Sequence, residues 1–152
     1  MTQLLWIASL SLVPWIELRG SIPLGIARGF APLEVFFVCT VVNLLVIVPG
    51  WFALEWFYER WFSRIGWVRR QVERVRERGR SYVERYQLLG LTLFVAVPLP
   101  GTGAYSGTLA AWLLGLPRAK SWLAVAAGVV LAGIAVTLAS TGAVAGWRRL
   151  FP

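Results

Sequence analysis

Two charged side chains of opposite sign, Glu17 and Arg19, lie in an otherwise apolar stretch near the start of the chain. Ionisable groups within a membrane-length apolar segment are rare unless they pair with each other or have a function. Two roles are therefore open. The side chains can form a structural ion pair, or Arg19 can bind a phosphate or carboxylate group while Glu17 takes up and releases a proton.

A second polar set lies in residues 97–107, whose sequence is VPLPGTGAYSG. Pro98 and Pro100 remove two backbone donors, and Gly101 and Gly103 permit backbone angles that other residues avoid, so a helix cannot continue through this segment. In hydrocarbon such a break requires surrounding protein or a water-filled cavity, and it therefore predicts a lined site. Hydroxyl groups that can line it, or bond to their own backbone instead, belong to Thr102, Tyr105, Ser106 and Thr108.

Histidine and aspartate do not occur in the sequence. This composition excludes histidine-dependent catalytic triads, histidine metal sites and paired-aspartate chemistry. We therefore expect a protein that is not an enzyme and that needs no cofactor and no metal ion. The single cysteine, Cys39, cannot form an internal disulfide, and we expect it to pack against lipid or the protein core.

The composition predicts an integral membrane protein, because 58% of the 152 residues are hydrophobic and the mean hydropathy is +0.68. The net charge of +8 is concentrated, since nine of the fifteen basic residues lie between Arg60 and Arg85. The positive-inside rule places that segment in the cytoplasm. We therefore expect a multi-pass protein of the plasma membrane.

Residues 58–87 are predicted to form one amphipathic, arginine-rich helix with apolar residues spaced alternately by four and three. Three interpretations are open: packing on the protein's own membrane domain or on anionic lipid headgroups, a dimerising coiled coil, and, least favoured, nucleic-acid binding. The apolar positions are Trp61, Ile65, Val68, Val72, Val75, Gly79, Tyr82 and Tyr86.

The first unit, residues 1–57, begins with an apolar stretch at 4–16 that is too short to cross about 30 Å of hydrocarbon. We expect the chain to break and restart over residues 17–23, with Gly20 in the break and Pro23 near the first turn of the next helix. A full span is then predicted from residue 33 to residue 56, with Pro49 producing a kink. Asn43 within this span either lines a cavity or bridges helices.

The second unit, residues 88–147, repeats the first: a short apolar approach, the break at 97–107, a short helix and a full span. Each short helix carries small residues at every fourth position, a spacing that allows close helix approach. If the arginine-rich segment is cytoplasmic, the two units are inverted, although the second hairpin can alternatively span the membrane fully. The small residues are Ser21, Gly25 and Gly29 in the first unit and Gly103, Gly107, Ala111 and Gly115 in the second.

The predicted fold is therefore an all-α membrane domain of two inverted repeats, each a re-entrant hairpin followed by a transmembrane helix. Inverted repeats with broken helices are typical of transporters, whose substrate site lies between the repeats near the midplane. The predicted substrate- or ion-binding residues are Glu17, Arg19, Gly20, Pro23, Asn43, Pro98, Pro100, Gly101, Thr102, Gly103, Tyr105 and Ser106.

Two segments carry a family resemblance: ELRGSIPLGIARG at 17–29 and FVAVPLPGTGAYSGTLAAWLLGL at 94–116. They resemble the putative small multi-drug export protein family, whose members share an E-L-R-G-x-I-P motif and a P-L-P-G-T-G motif. Through its re-entrant hairpins the family is also similar to the wider DedA-like (VTT-domain) group, some of whose members translocate polyprenyl-phosphate or phospholipid carriers. The first resemblance implies drug export.

The residues themselves favour an anionic amphiphile, such as a polyprenyl-phosphate or phospholipid carrier, moved with proton or ion coupling, because Arg19 would repel a cation bound at Glu17. Alternatives are a lipophilic-cation exporter and a non-transporting membrane scaffold that acts through the arginine-rich helix. We expect membrane lipid, a lipid-phosphate or lipophilic substrate, and a second copy of the chain in a homodimer as partners, and no nucleic acid.

Overall fold

The computed structural model describes residues 2–80, 84–99 and 101–150, and within these ranges it contains helices and no strand. The all-α prediction is confirmed for this part of the chain. A π-helical turn, Tyr58–Phe62, extends α3. The helices are α1 Thr2–Ser11, α2 Glu17–Ala27, α3 Pro32–Phe57, α4 Gly66–Arg80, α5 Glu84–Ala96, α6 Ala104–Leu113 and α7 Arg118–Leu150.

Two of the described helices, Pro32–Phe62 and Arg118–Trp147, are long and apolar enough to cross a membrane, each with a mean hydropathy of 2.3. In their most apolar windows only 33% and 39% of the residues are buried. Their apolar side chains therefore mostly face outward, which suits lipid and not water. The predicted spans at residues 33–56 and after residue 117 are confirmed as candidate membrane-spanning helices.

The first break lies earlier in the chain than the sequence analysis predicts. The chain turns at residues 12–16, and α2 begins at Glu17, so Pro23 lies in the interior of α2 and not in its first turn. Pro14 explains the difference, because it disfavours a helical conformation at Val13 and cannot donate a backbone hydrogen bond itself. The Glu17 N–H donates to the Val13 carbonyl at 2.9 Å and closes the turn.

The second break lies where the sequence places it. Helix α5 ends at Ala96 and α6 begins at Ala104. Within the break, the Leu99 N–H donates to the Val97 carbonyl at 2.8 Å. Gly101 has a φ of +84°, which is the left-handed region that glycine tolerates best. Pro100 lies outside the described residues.

The arginine-rich segment, predicted as one helix over 58–87, is divided in the structure. The π-helical turn continues α3, the chain turns at 63–65, and α4 then runs to Arg80. Of the predicted stripe Val72 is buried, whereas Trp61 and Ile65 are exposed, and Tyr82 lies outside the described residues. Arg76 holds α4 against the end of α6, with its guanidinium 5.1 Å from the centre of the Trp112 ring.

The two units interlock, because each packs helices against the long helix of the other. Helix α7 contacts α2 and α3 as well as α5 and α6, and α3 contacts α6. The approach of α7 to α5 is closest at Gly128, where an added Cβ would lie 2.6 Å from the Val95 Cβ and 2.8 Å from the Thr92 carbonyl oxygen. The Thr92 hydroxyl also donates to the Ala124 carbonyl at 3.1 Å.

Changing Gly128 to alanine is therefore expected to separate α5 from α7 and to destabilise the protein by about 1–3 kcal/mol, the usual cost of overpacking. The matched control is Gly142→Ala in the same helix, where an added Cβ meets no atom within 4 Å. Thermal unfolding in detergent measures both variants. Equal midpoints for the two would show that α5 and α7 do not pack as described.

Candidate functional site

Glu17 reaches the second break because its backbone is unusual. Its φ is +46°, in the left-handed region that costs a non-glycine residue about 1–2 kcal/mol. This angle turns the side chain away from the direction that a regular helix start would give it. One carboxylate oxygen, Oε2, accepts a hydrogen bond from the Arg19 Nη1 at 2.8 Å. The other, Oε1, accepts one from the Tyr105 backbone N–H at 3.3 Å.

Glu17 therefore caps the N-terminus of α6 from another part of the chain. The Ala104 and Tyr105 amides, the first two of α6, both point to its carboxylate. A negative charge at a helix N-terminus is favourable, because it satisfies free N–H groups and complements the helix dipole. Gly103 makes room for it, since an added Cβ there would overlap the Glu17 carboxylate.

Arg19 satisfies the opposite end of the same break. Its Nη2 donates to the Val95 carbonyl at 2.8 Å, to the Val97 carbonyl at 3.1 Å and to the Thr102 carbonyl at 2.7 Å. Carbonyl groups at the end of α5 have no helical partner, and a cation is favourable at a helix C-terminus. Arg19 is thus the C-terminal cap of α5, supplied by the first break.

The Glu17–Arg19 pair is buried, with side-chain exposures of 5% and 12%. Both terminal guanidinium nitrogens of Arg19 donate hydrogen bonds, Nη1 to the Glu17 carboxylate and Nη2 to backbone oxygens. Within this pair, the Arg19 Nε is the one buried side-chain atom for which the described residues provide no hydrogen-bond partner. This geometry favours the structural ion pair of the sequence analysis, and it leaves few donors for the predicted anion pocket.

The hydroxyl groups of the second break bond mostly to backbone. Thr102 donates to the Val97 carbonyl at 2.6 Å, Ser106 to the Gly103 carbonyl at 3.2 Å and Thr108 to the Ala104 carbonyl at 2.7 Å. The Tyr105 hydroxyl also donates to a backbone carbonyl, but to one in the first break, that of Leu12 at 2.6 Å. Tyr105 thereby ties the start of α6 to the end of α1, and the two motifs meet as the sequence analysis expects.

A cavity of about 570 Å³ lies beside this meeting point. Along α3 its wall runs from Val46 to Phe57, and Glu17 is the one charged residue among the described residues that line it. Arg19 is not on the wall. The lining residues are Pro14, Trp15, Glu17, Val46, Gly50, Ala53, Leu54, Phe57, Gly101, Gly103, Tyr105, Ser106, Thr108 and Leu109.

Of the remaining predicted site residues, those that the structure describes do not line the cavity. Gly20 is a packing residue, since an added Cβ would lie 2.6 Å from the Ile16 Cγ2. Pro23 lies inside α2, and Pro98 is exposed in the second break. Asn43 bridges helices, because its Nδ2 donates to the Cys39 carbonyl at 2.9 Å and to the Ser11 carbonyl at 3.4 Å. Pro100 lies outside the described residues.

The α3 part of the wall was missed by the sequence analysis. Val46, Gly50 and Phe57 repeat at intervals of four and seven residues, which places them on one helix face. The sequence signal that could have revealed this part of the wall is Gly50, a glycine on the same face of a long apolar helix. Pro14 and Trp15 were missed because the break was predicted a few residues too late.

The family model described as "Putative small multi-drug export protein" matches residues 17–135, which include both motifs and the whole ion-pair site. The chain belongs to this family. No curated protein and no solved structure matches it. Together with the two apolar helices, the small multi-drug export family indicates a membrane protein. The family description is not that of an enzyme class.

In this family member, removing either charge of the pair is expected to destabilise the protein by about 3–5 kcal/mol, because the other charge then stays buried without its partner. The double variant Glu17→Gln/Arg19→Gln should cost less than the sum of the two single variants. Denaturant unfolding in detergent micelles measures this coupling.

The exposed Arg69–Glu73 pair is the control, because it has the same 2.8 Å N–O distance but side-chain exposures of 64% and 51%. The variants Arg69→Gln and Glu73→Gln should leave the unfolding midpoint nearly unchanged. Additive losses at Glu17 and Arg19 would show that the two side chains do not act as a pair.

Proposed function

We propose that the chain is a small multi-pass membrane exporter, which binds lipophilic cations in the cavity between its two breaks. The observation that carries this proposal is the cavity wall, which is apolar and aromatic and includes Glu17 but not Arg19. A volume of about 570 Å³ suits a drug-sized molecule, and apolar walls with a few polar groups are typical of such sites. The family description supports export.

The position of Arg19 favours a cation over an anion. A bound anion would need guanidinium or helix N-terminal donors, and the structure uses these donors within the protein, as Arg19 binds the end of α5 and Glu17 covers the start of α6. A cation in the cavity instead meets the carboxylate side of the pair. Competition between a proton and the cation for Glu17 would couple export to proton entry.

We propose that the two units form inverted repeats with re-entrant hairpins. The Glu55–Arg118 salt bridge of 2.8 Å supports this, because it joins the end of α3 to the start of α7 and so makes the two long helices antiparallel. By the positive-inside rule that end, and the segment 58–87 beside it, face the cytoplasm of a plasma-membrane protein. The cavity then lies in the cytoplasmic half, since residues 46–57 of α3 cover about 16 Å.

The two long spans among the described residues enclose little of a pathway, so we also propose that the exporter works as a homodimer in the lipid bilayer. The scaffold alternative receives less support, because α4 already contacts α6 through Arg76, whose guanidinium lies over the Trp112 ring. Similarity to the DedA-like group stays a prediction.

Flux into proteoliposomes tests the substrate class. Three compounds are compared. The first is a lipophilic aromatic amine that is cationic at neutral pH, the second is its neutral carbon isostere, and the third is a fluorescent short-chain polyprenyl phosphate. We expect a proton gradient to drive accumulation of the amine well above that of the isostere, and no movement of the phosphate. Protein-dependent movement of the phosphate without movement of the amine would overturn the proposal in favour of the anionic amphiphile.

Filling the cavity should abolish amine flux without unfolding the protein. Gly50 lines the cavity, and an added Cβ there meets no atom within 4 Å, so the side chain of Gly50→Leu projects into empty space. We expect flux to fall by about ten-fold or more, since a leucine side chain fills a large share of the binding volume.

Gly142→Leu is the matched control, because Gly142 is also a helical glycine with open space around it and does not line the cavity. Its flux should stay within about two-fold of the unsubstituted protein, and both variants should have the same unfolding midpoint. Normal flux in Gly50→Leu would exclude this cavity as the binding site.

A further inference from the structure

Two fully buried polar side chains lie just beyond the midmembrane end of the cavity. Asn43 precedes Val46, the first α3 residue of the wall, by one helical turn, and Ser11 precedes Pro14 by three residues. Both side chains have a relative exposure of 0%. The Asn43 Nδ2 donates to the Ser11 carbonyl, so the two residues are in contact across the α1–α3 interface.

Both residues carry a polar atom without a strong partner. The Asn43 Oδ1 is buried without a hydrogen-bond partner, and the Ser11 Oγ has only the weakly bonding Cys39 thiol beside it. Such an atom has lost its hydrogen bonds to water without gaining others, and no water can replace them within hydrocarbon. Two apolar side chains of the same size would pack the two helices together at a lower free-energy cost. Two poorly satisfied polar atoms at one contact therefore indicate a role other than packing.

We infer that Ser11 and Asn43 form a neutral polar subsite of the transport pathway, which is closed in this structure and lies on the far side of the cavity from the arginine-rich segment. This inference rests on the exporter proposed above. When the end of α1 separates from α3, the subsite opens and binds a hydrogen-bond donor. The same face of α3 then lines both halves of the pathway, with Cys39 and Asn43 in one half and Val46 and Gly50 in the other.

The free atoms define the ligand chemistry. The Asn43 Oδ1 is an acceptor only, and the Ser11 hydroxyl can accept as well as donate. The ligand is therefore an O–H or N–H donor, which is supplied either by water or by the ammonium group of the substrate. A quaternary ammonium has no N–H and cannot fill the subsite, although the cavity and Glu17 can still hold it.

Cys39 is a built-in reporter of this subsite. It is the one cysteine in the sequence, it lies one helical turn before Asn43, and it is fully buried beside Ser11. Thiol reagents of the maleimide type react with the thiolate, which needs water around it. A membrane-impermeant maleimide therefore labels Cys39 only if the far half of the pathway becomes hydrated.

The experiment measures labelling of the full-length protein in proteoliposomes, with maleimide on one side of the membrane at a time. We expect Cys39 to react from the side opposite the arginine-rich segment. The control is Leu45→Cys in a Cys39→Ser background, because Leu45 lies on α3 with 68% exposure toward lipid. This control should not react, and equal reaction of the two cysteines, or no reaction of Cys39, would overturn the inference.

Two ligands distinguish water from the substrate's ammonium group as the hydrogen-bond donor in the subsite. If the substrate's ammonium group enters the subsite, a transported primary amine slows labelling of Cys39, whereas its trimethylated analogue at the same fractional occupancy does not. If water alone fills the subsite, neither ligand slows the labelling. Either result supports the subsite, and slower labelling with the trimethylated analogue alone would contradict its N–H chemistry.

Asn43→Leu removes the polar subsite while keeping the branching of the side chain at Cγ. We expect amine flux to fall by about ten-fold, the effect of one lost hydrogen bond, while amine binding to the cavity stays within about two-fold. The matched control is Thr40→Val, since Thr40 is also buried on α3 with an unpartnered hydroxyl but faces Gly133 of α7. Equal flux losses in both variants would indicate packing and overturn the inference.

The exporter proposal and the subsite inference can be disproved independently of each other. If the protein moves the amine but Cys39 is never labelled, the exporter stands and the subsite is excluded. If Cys39 is labelled from the far side but no amine moves, a hydrated pathway exists and the proposed substrate is excluded.

Discussion

The structure depends on one constraint: a helix broken inside hydrocarbon leaves backbone groups that water cannot reach. At the second break these groups are the carbonyls at the end of α5 and the amides at the start of α6. Arg19 binds the carbonyls and Glu17 binds the amides, so each charge meets the helix end of opposite sign. The two charges also bind each other, which reduces the cost of burying either one.

This arrangement explains why the two motifs have these residues. Gly103 has no side chain because the Glu17 carboxylate occupies that space, and Glu17 adopts a left-handed backbone to reach it. The second break also contributes a hydrogen bond to the first, because the Tyr105 hydroxyl donates to the Leu12 carbonyl at the end of α1. Each break therefore completes the backbone hydrogen bonding of the other.

Much of the fold followed from the sequence because its signals are local. Twenty or more apolar residues predict a span, and prolines flanked by glycines predict a break, so α3, α7 and the second break were placed correctly. The first break was predicted late because the charges at Glu17 and Arg19 followed by Gly20 and Pro23 form a strong local signal for a helix break, whereas the chain turns at Pro14. The single arginine-rich helix was wrong in its boundaries because a π-helical turn at Tyr58–Phe62 has no clear local signal.

The two charged residues of the site were predictable from the sequence, whereas their roles and the α3 part of the cavity wall were not. That Glu17 and Arg19 meet residues 97–105 followed from the repeat, whereas the pairing of Arg19 with backbone carbonyls required the positions of both helix ends. This distinction changes the chemistry that the site can perform. A guanidinium that caps a helix stabilises the fold and has few free donors for a ligand, so in the proposed exporter selectivity rests on the Glu17 carboxylate and the apolar wall. The shape of that wall depends on small residues such as Gly50, where a single side chain would change the space that a substrate can occupy.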